Sequence, residues 1–65
     1  MSQNAKILAH LQAKRAIDPL MALKHFGCFR LAARIEELRY QGYSILTTIV
    51  KTRTGKRVAV YRLVT

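Results

Sequence analysis

Acidic residues are scarce in this sequence. Asp18, Glu36 and Glu37 are the only three, against twelve Lys and Arg, and the formal charge is +9 over 65 residues. A compact surface with that charge repels itself and attracts polyanions. Nucleic acid is the first class of partner this implies, with an acidic protein or an anionic membrane behind it. The imbalance is also uneven: from Arg39 to Thr65 there are six basic residues and no acid.

Cysteine occurs once, as Cys28. That excludes an intramolecular disulfide framework and a CxxC metal site. His10 and His25 are the only other soft ligands, too few for a structural zinc, so neither a metal nor a cofactor is expected. A reduced, cytosolic setting fits. Within "HFGCF", Cys28 reads as a small buried hydrophobe. Glycine and proline are few, at three and one, and 51% of residues are apolar, the composition of a folded domain and not of a disordered tail. Long apolar runs are missing too. The N-terminal one, Ile7 to Ala9, is far short of the ~20 residues of a spanning helix, so no signal peptide or membrane span is expected.

Catalytic groupings are absent. There is no Ser/His/Asp set and no Gly-rich phosphate loop. Glu36 and Glu37 are adjacent, so on a helix they point about 100° apart and cannot share acid–base work. A chain this short buries only about 60% of its unfolded surface, too little for an elaborate cleft. The expectation is one small domain over residues 1–65 that binds and does not catalyse.

What is present is a clear order of elements. "NAKILAHLQAKRA", residues 4–16, puts Ile7, Leu8 and Leu11 on one helical face, with Lys14 and Arg15 in a last turn suited to the helix dipole. "IDPLMALKHFG" marks a short second helix. Asp18 is a good N-cap, Pro19 fits the first helical position, and Gly27 can end the helix in the left-handed conformation. Its expected inner stripe is Leu20, Leu23 and Phe26. "FRLAARIEELRYQG" spaces Leu31, Ala32, Ile35 and Leu38 on a core-facing side of a third helix over 29–41. Phe29, Arg30, Ala33, Arg34, Glu37, Tyr40 and Gln41 take the other side, and Gly42 closes it. Ala33, small and central on that side, permits close approach by a partner.

Beyond Gly42 two β-rich runs, "YSILTTIVKT" and "RVAVYRLV", flank the turn "RTGK" and read as a hairpin. Both faces carry apolar residues; Ala59, Tyr61 and Leu63 are favoured as the inner set. A short second helix joined through glycine to a longer third one is a helix-turn-helix pattern. A hairpin directly after it is a wing. The expected fold class is α+β, a winged helix-turn-helix. Three basic residues, Arg53, Lys56 and Arg57, crowd the wing tip from Thr52 to Arg57. There they suit a phosphate backbone or a minor groove.

These stretches carry a resemblance. "IDPLMALKHFGCFRLAARIEELRYQGYSI" followed by "GKRVAVYRL" resembles a family of small winged helix-turn-helix domains of bacteriophages and prophages. Its members pair a Pro-Leu-x-Ala-Leu second helix with an Arg-Leu-(Ala/Ser)-Ala-Arg-Ile third helix, a Leu-Arg-x-x-Gly-(Tyr/Trp) exit and a Gly-Lys-x-x-x-x-Tyr-x-Leu wing. The similarity covers roughly residues 5 to 63. It implies that Arg30 and Arg34 lie on a recognition helix, and Gly55 and Lys56 at the wing turn. The chain departs from the family at Met21, where members often carry an acid. This leaves a protein contact open at that point.

On this reading Arg30, Ala33, Arg34, Glu37 and Gln41 face a DNA major groove, where Arg bridges guanine O6 and N7 and Glu accepts from cytosine N4. Arg53, Lys56 and Arg57 meet phosphate. The plain alternative makes the same side a solvated surface, with Arg30 or Arg34 paired to Glu37. His10 and His25 are expected in surface or boundary roles, and Tyr40 and Tyr43 as packing residues that support the wing. Double-stranded DNA is the expected partner, with a homodimer and a host protein as further candidates. The expected role is transcription regulation in the cytoplasm of a bacterial host, on its nucleoid. An excisionase-type factor that binds and bends DNA is the near alternative. A protein-binding module using Met21, Phe29 and Tyr40 is the rival from another class. RNA binding would need aromatics on the sheet, and the hairpin offers little beyond Tyr61.

Overall fold

A computed structural model of the protein describes residues 2–64. The end positions of the expected 1–65 domain, Met1 and Thr65, lie outside the described residues. The element order is α1 (Gln3–Gln12), α2 (Pro19–Phe26), α3 (Leu31–Tyr40), β1 (Ile45–Lys51) and β2 (Arg57–Leu63). Three helices and a two-stranded antiparallel hairpin make the expected α+β winged helix-turn-helix.

Local chemistry explains the sharpest boundaries. Asp18 caps α2: its carboxylate accepts from the Met21 N–H at 2.7 Å, with Pro19 at the first helical position. Gly27, at φ 62°, takes the left-handed cap and ends that helix. The hairpin register pairs Ile45 with Leu63 and Lys51 with Arg57. At its tip the Gly55 N–H donates to the Thr52 carbonyl (3.0 Å), with Gly55 at φ 85°. A three-residue loop that ends in a left-handed glycine suits the twist of the two strands.

One core joins all the elements. It holds Ile7 and Leu11 of α1, Ala22 of α2, Leu31, Ile35 and Leu38 of α3, and Ile45 and Tyr61 of the hairpin, together with Ile17 and Cys28. Cys28 is buried, as expected. Ile17 exchanges hydrogen bonds with Tyr61 (2.9 and 2.8 Å), so the α1–α2 link adds one residue to the far edge of β2. Tyr61 is buried, and Ala59 and Leu63 pack against the core. The favoured set therefore faces in.

Five expectations are corrected. Helix α1 stops at Gln12, and Lys14 and Arg15 follow it. Lys14 itself takes the left-handed conformation, at φ 62°, where glycine usually sits, so no breaker residue announces the end. In α2 the buried residue is Ala22; Leu20 and Leu23 are 66% and 41% exposed. The small side chain, and not the larger pair, lets this short helix sit close on the core. On α3, Ala32 is exposed, because it lies about 100° round from Leu31 and beyond the strip set by Leu31, Ile35 and Leu38. The helix is also shorter than 29–41, with Arg30 and Gln41 as its caps. Tyr40 is 91% exposed and supports no wing packing, whereas Tyr43 does pack on the core.

The wing is instead tied down by a residue on which the sequence reading placed no role. Arg39 bridges Glu36 (Nη1 to Oε1, 2.7 Å), the Ile45 carbonyl (Nη2, 2.7 Å) and Thr47 Oγ1 (Nη2, 2.9 Å). It links the end of α3 to the start of β1.

Ile35→Ala should cost about 2–5 kcal/mol in a urea titration, a large part of what so small a domain has, while Tyr40→Ala should stay within about 0.5 kcal/mol. Equal losses would mean that Ile35 is not at the centre of the core. Arg39→Met should cost about 1 kcal/mol and speed amide exchange at the start of β1 before elsewhere. A uniform rise in exchange would argue against a local tie.

Candidate nucleic-acid interface

The N-terminal half of α3 and the hairpin tip carry the residues in question. Serine and aspartate side chains cap α1 and α2; α3 begins at Arg30 with no side-chain cap and no acid in its first turn. The first N–H groups of that helix and the positive end of its dipole therefore remain open to an anion. Arg30 is exposed and makes no ion pair among the described residues. It lines a shallow groove of ≈ 260 Å³ together with Gln3, Gly27, Phe29 and Arg34.

Arg34 is half-buried. Its Nη2 lies 2.8 Å from Glu37 Oε1, which selects Arg34 over Arg30 as the partner of that acid. Arg34 Nε is buried and has no hydrogen-bond partner. Glu37 also accepts from Asn4 Nδ2 (3.3 Å) through its second oxygen, so α1 helps to hold it. Asn4 and Gln3 were invisible to sequence reasoning; the Asn4–Glu37 contact spans 33 residues of chain. Ala33, between these groups, is half-buried, and Gln41 is exposed at the other end of the helix. Eleven residues of helical rise put Gln41 about 16 Å from Arg30 along the axis.

Arg53, Lys56 and Arg57 are all exposed at the wing tip. The Thr52 side chain organises that turn: its Oγ1 accepts from the Lys56 N–H (3.2 Å) and lies 3.1 Å from Thr54 Oγ1. The structure thus gathers Arg30 and Arg34 in one groove, sets Gln41 at the far end of the same helix, and keeps the three wing cations together on a separate element.

The electrostatics follow from where the acids went. Asp18 caps α2, Glu36 pairs with Arg39, and Glu37 pairs with Arg34. Two of the twelve cations are ion-paired among the described residues, which leaves ten without a carboxylate.

The apolar patch suggested for Met21, Phe29 and Tyr40 is divided. Phe29 and Tyr40 are exposed at 86% and 91%. Met21 packs against the core and lines a different groove of ≈ 640 Å³, with His10, His25 and Phe26. His10 there donates from Nε2 to the Ala16 carbonyl (2.9 Å) and meets the Phe26 ring edge-on at 5.7 Å, a boundary role like the one expected.

No helix among the described residues is long and apolar enough to cross a membrane. No curated protein and no solved structure matches the chain. A family model for the winged helix-turn-helix domain matches residues 2–65. With its helix order, capped turn and basic wing accounted for, the chain belongs to the winged helix-turn-helix domain family.

Proposed function

We propose that this protein binds double-stranded DNA with sequence preference and serves as a transcription regulator of phage or prophage type. One observation carries the reading: on a winged helix-turn-helix, all three acidic side chains are engaged within the fold while ten cations have no carboxylate partner among the described residues. The phage assignment rests on the motif resemblance across the second helix, third helix and wing. The expected setting is the bacterial nucleoid.

In this account α3 enters the major groove with Arg30 leading. Arg30 is the cation free to reach a guanine edge or a phosphate without breaking an existing pair. Arg34 reaches a base only by exchanging its bond to Glu37, so Arg34, Glu37 and Asn4 act together. Glu37 released in this way can accept from cytosine N4. Ala33 lets the helix approach, and Gln41 reaches the groove further along. Arg53, Lys56 and Arg57 follow the backbone or the minor groove. The molecule measures 34 × 24 × 20 Å. Its long axis is about one turn of B-DNA, so one copy covers at most one half-site.

An excisionase-type role uses the same surface and is separated by DNA bending, read from end-to-end energy transfer on a labelled duplex. A host-protein contact is the second reading, favoured by the exposure of Phe29 and Tyr40. Loss of partner binding in Phe29→Ala with DNA affinity intact would identify it.

The reading is tested by selection from a random duplex library at two salt concentrations. A short motif that survives the higher salt supports it; binding that collapses with salt and enriches nothing contradicts it. Against a selected site, Arg34→Ala should cost about 1–3 kcal/mol and relax preference at one or two positions. Equal loss on every sequence would move Arg34 to phosphate. Lys56→Ala should weaken all sequences alike and make the salt slope shallower by about 1. An unchanged slope would remove Lys56 from the interface.

A further inference from the structure

Strand β1 is an edge strand of unusual composition. From Ile45 to Val50 it reads "ILTTIV", with no charge, proline or glycine. Every residue of β1 after Ile45 is exposed, with Leu46 at 54%, Ile49 at 59% and Val50 at 45%. Protein edges are normally protected by charges, prolines, bulges or a covering element. This one has Lys51 at one end and the Arg39 side chain at the other.

The hydrogen-bond pattern shows which groups are left over. The Val64 N–H donates to the Ser44 carbonyl and the Thr52 N–H to the Lys56 carbonyl. In an antiparallel ladder, bonded and non-bonded pairs alternate. The even-numbered residues of β1 therefore bond to β2, and Ile45, Thr47, Ile49 and Lys51 turn their main-chain groups outward. Arg39 Nη2 on the Ile45 carbonyl agrees with that phase.

We propose that β1 pairs antiparallel with β1 of a second copy of this chain about a two-fold axis at Thr48. Among the two-fold registers that join outward-facing residues, this one overlaps all seven residues of β1, with the Ile45 carbonyl, which already accepts from Arg39 Nη2, taking the second copy's Lys51 N–H on its other lone pair. It pairs Thr47 with Ile49, Leu46 with Val50 and Ile45 with Lys51. Registers centred on Thr47 or Ile49 shorten the overlap to five residues of the seven in β1. The charge pattern also suits a copy of itself. Lys51 is the only charge on the strand, and antiparallel pairing sets the two ammonium groups about 20 Å apart, well beyond the ~8 Å Debye length. Parallel pairing would bring them together.

The assembly closes at two. The other edge of the sheet already carries Ile17, bonded both ways to Tyr61 and followed by Asp18 and Pro19. That edge is interrupted at its middle, so β1 is the one uninterrupted edge among the described residues, and an isologous contact uses it up. The formal charge of +9 on each copy opposes association, so added salt strengthens the pairing, whereas it weakens a contact to DNA.

Two cysteine variants and one proline variant test this. Thr48→Cys sits on the axis as a non-hydrogen-bonded pair, with Cα atoms about 4.5 Å apart and within disulfide reach. Leu46→Cys lies on the same face, but its two copies are about 14 Å apart. In a glutathione redox buffer at about 1 M salt, where the Debye length is about 3 Å, Thr48→Cys should give a covalent dimer and Leu46→Cys none. Ile49→Pro removes an outward N–H and none of the bonds to β2. By sedimentation across a concentration series, it should weaken association about tenfold or more, a change of about 1.4 kcal/mol. A wild-type chain that stays monomeric in 1 M salt overturns the proposal and leaves the edge for an extended segment of another protein. A dimer that cross-links equally at Leu46 and Thr48, or survives Ile49→Pro unchanged, overturns the register. DNA binding is measured separately and does not enter either result.

Discussion

Three carboxylates serve twelve cationic side chains, and each carboxylate holds a different joint of the fold. Asp18 starts α2. Glu36 orients Arg39, which reaches across to the Ile45 carbonyl and Thr47 and so fixes where the wing leaves α3. Glu37 joins α3 to α1 through Arg34 and Asn4. Among the described residues none is left to balance the surface. The unpaired cations repel one another in the free protein, and a polyanion is the partner that relieves this strain. The structure and its binding chemistry are thus two sides of one shortage.

The same shortage shapes the details of the helix-turn-helix. The half-buried Arg34, whose Nε is buried and has no partner among the described residues, is held in place by Glu37. Arg30 stands beside it at an uncapped helix start. A binding side that combines one free and one restrained arginine separates two tasks. In the proposed DNA complex the free cation would sense charge at a distance, and the restrained one would engage only where the gain exceeds the bond it gives up. The core behind them is small but continuous, running from Ile7 through Ile35 to Tyr61, and it leaves Phe29 and Tyr40 outside.

Much of the fold was legible because the signals that mark it are local. Asp18 before Pro19, Gly27 after Phe26 and Gly55 in the wing turn each act within a few residues, and each stands where capping and turn chemistry put it. The i, i+4 spacing of Leu31 and Ile35 marked the buried strip of α3. The end of α1 was not legible, because Lys14 takes a glycine conformation without being glycine. The inner residue of α2 was misread because size was weighed above closeness, and Ala22 carries the contact. At the candidate site, the sequence left Arg30 and Arg34 as equal partners for Glu37. Only the folded arrangement of α1 against α3 brings in Asn4, and only the position of β1 adds the Ile45 carbonyl and Thr47 to Glu36 as acceptors for Arg39.

The central claim is that the unpaired cations at the start of α3 and at the wing tip form one DNA-binding surface. Amide chemical-shift mapping during titration with duplex DNA tests it most directly. The account predicts shifts that concentrate at residues 30–37 and 52–57, with the start of α1 following through Asn4 and the His10–Phe26 groove quiet. Shifts centred on that groove or on Leu20 and Val60, or none at low salt, would contradict it.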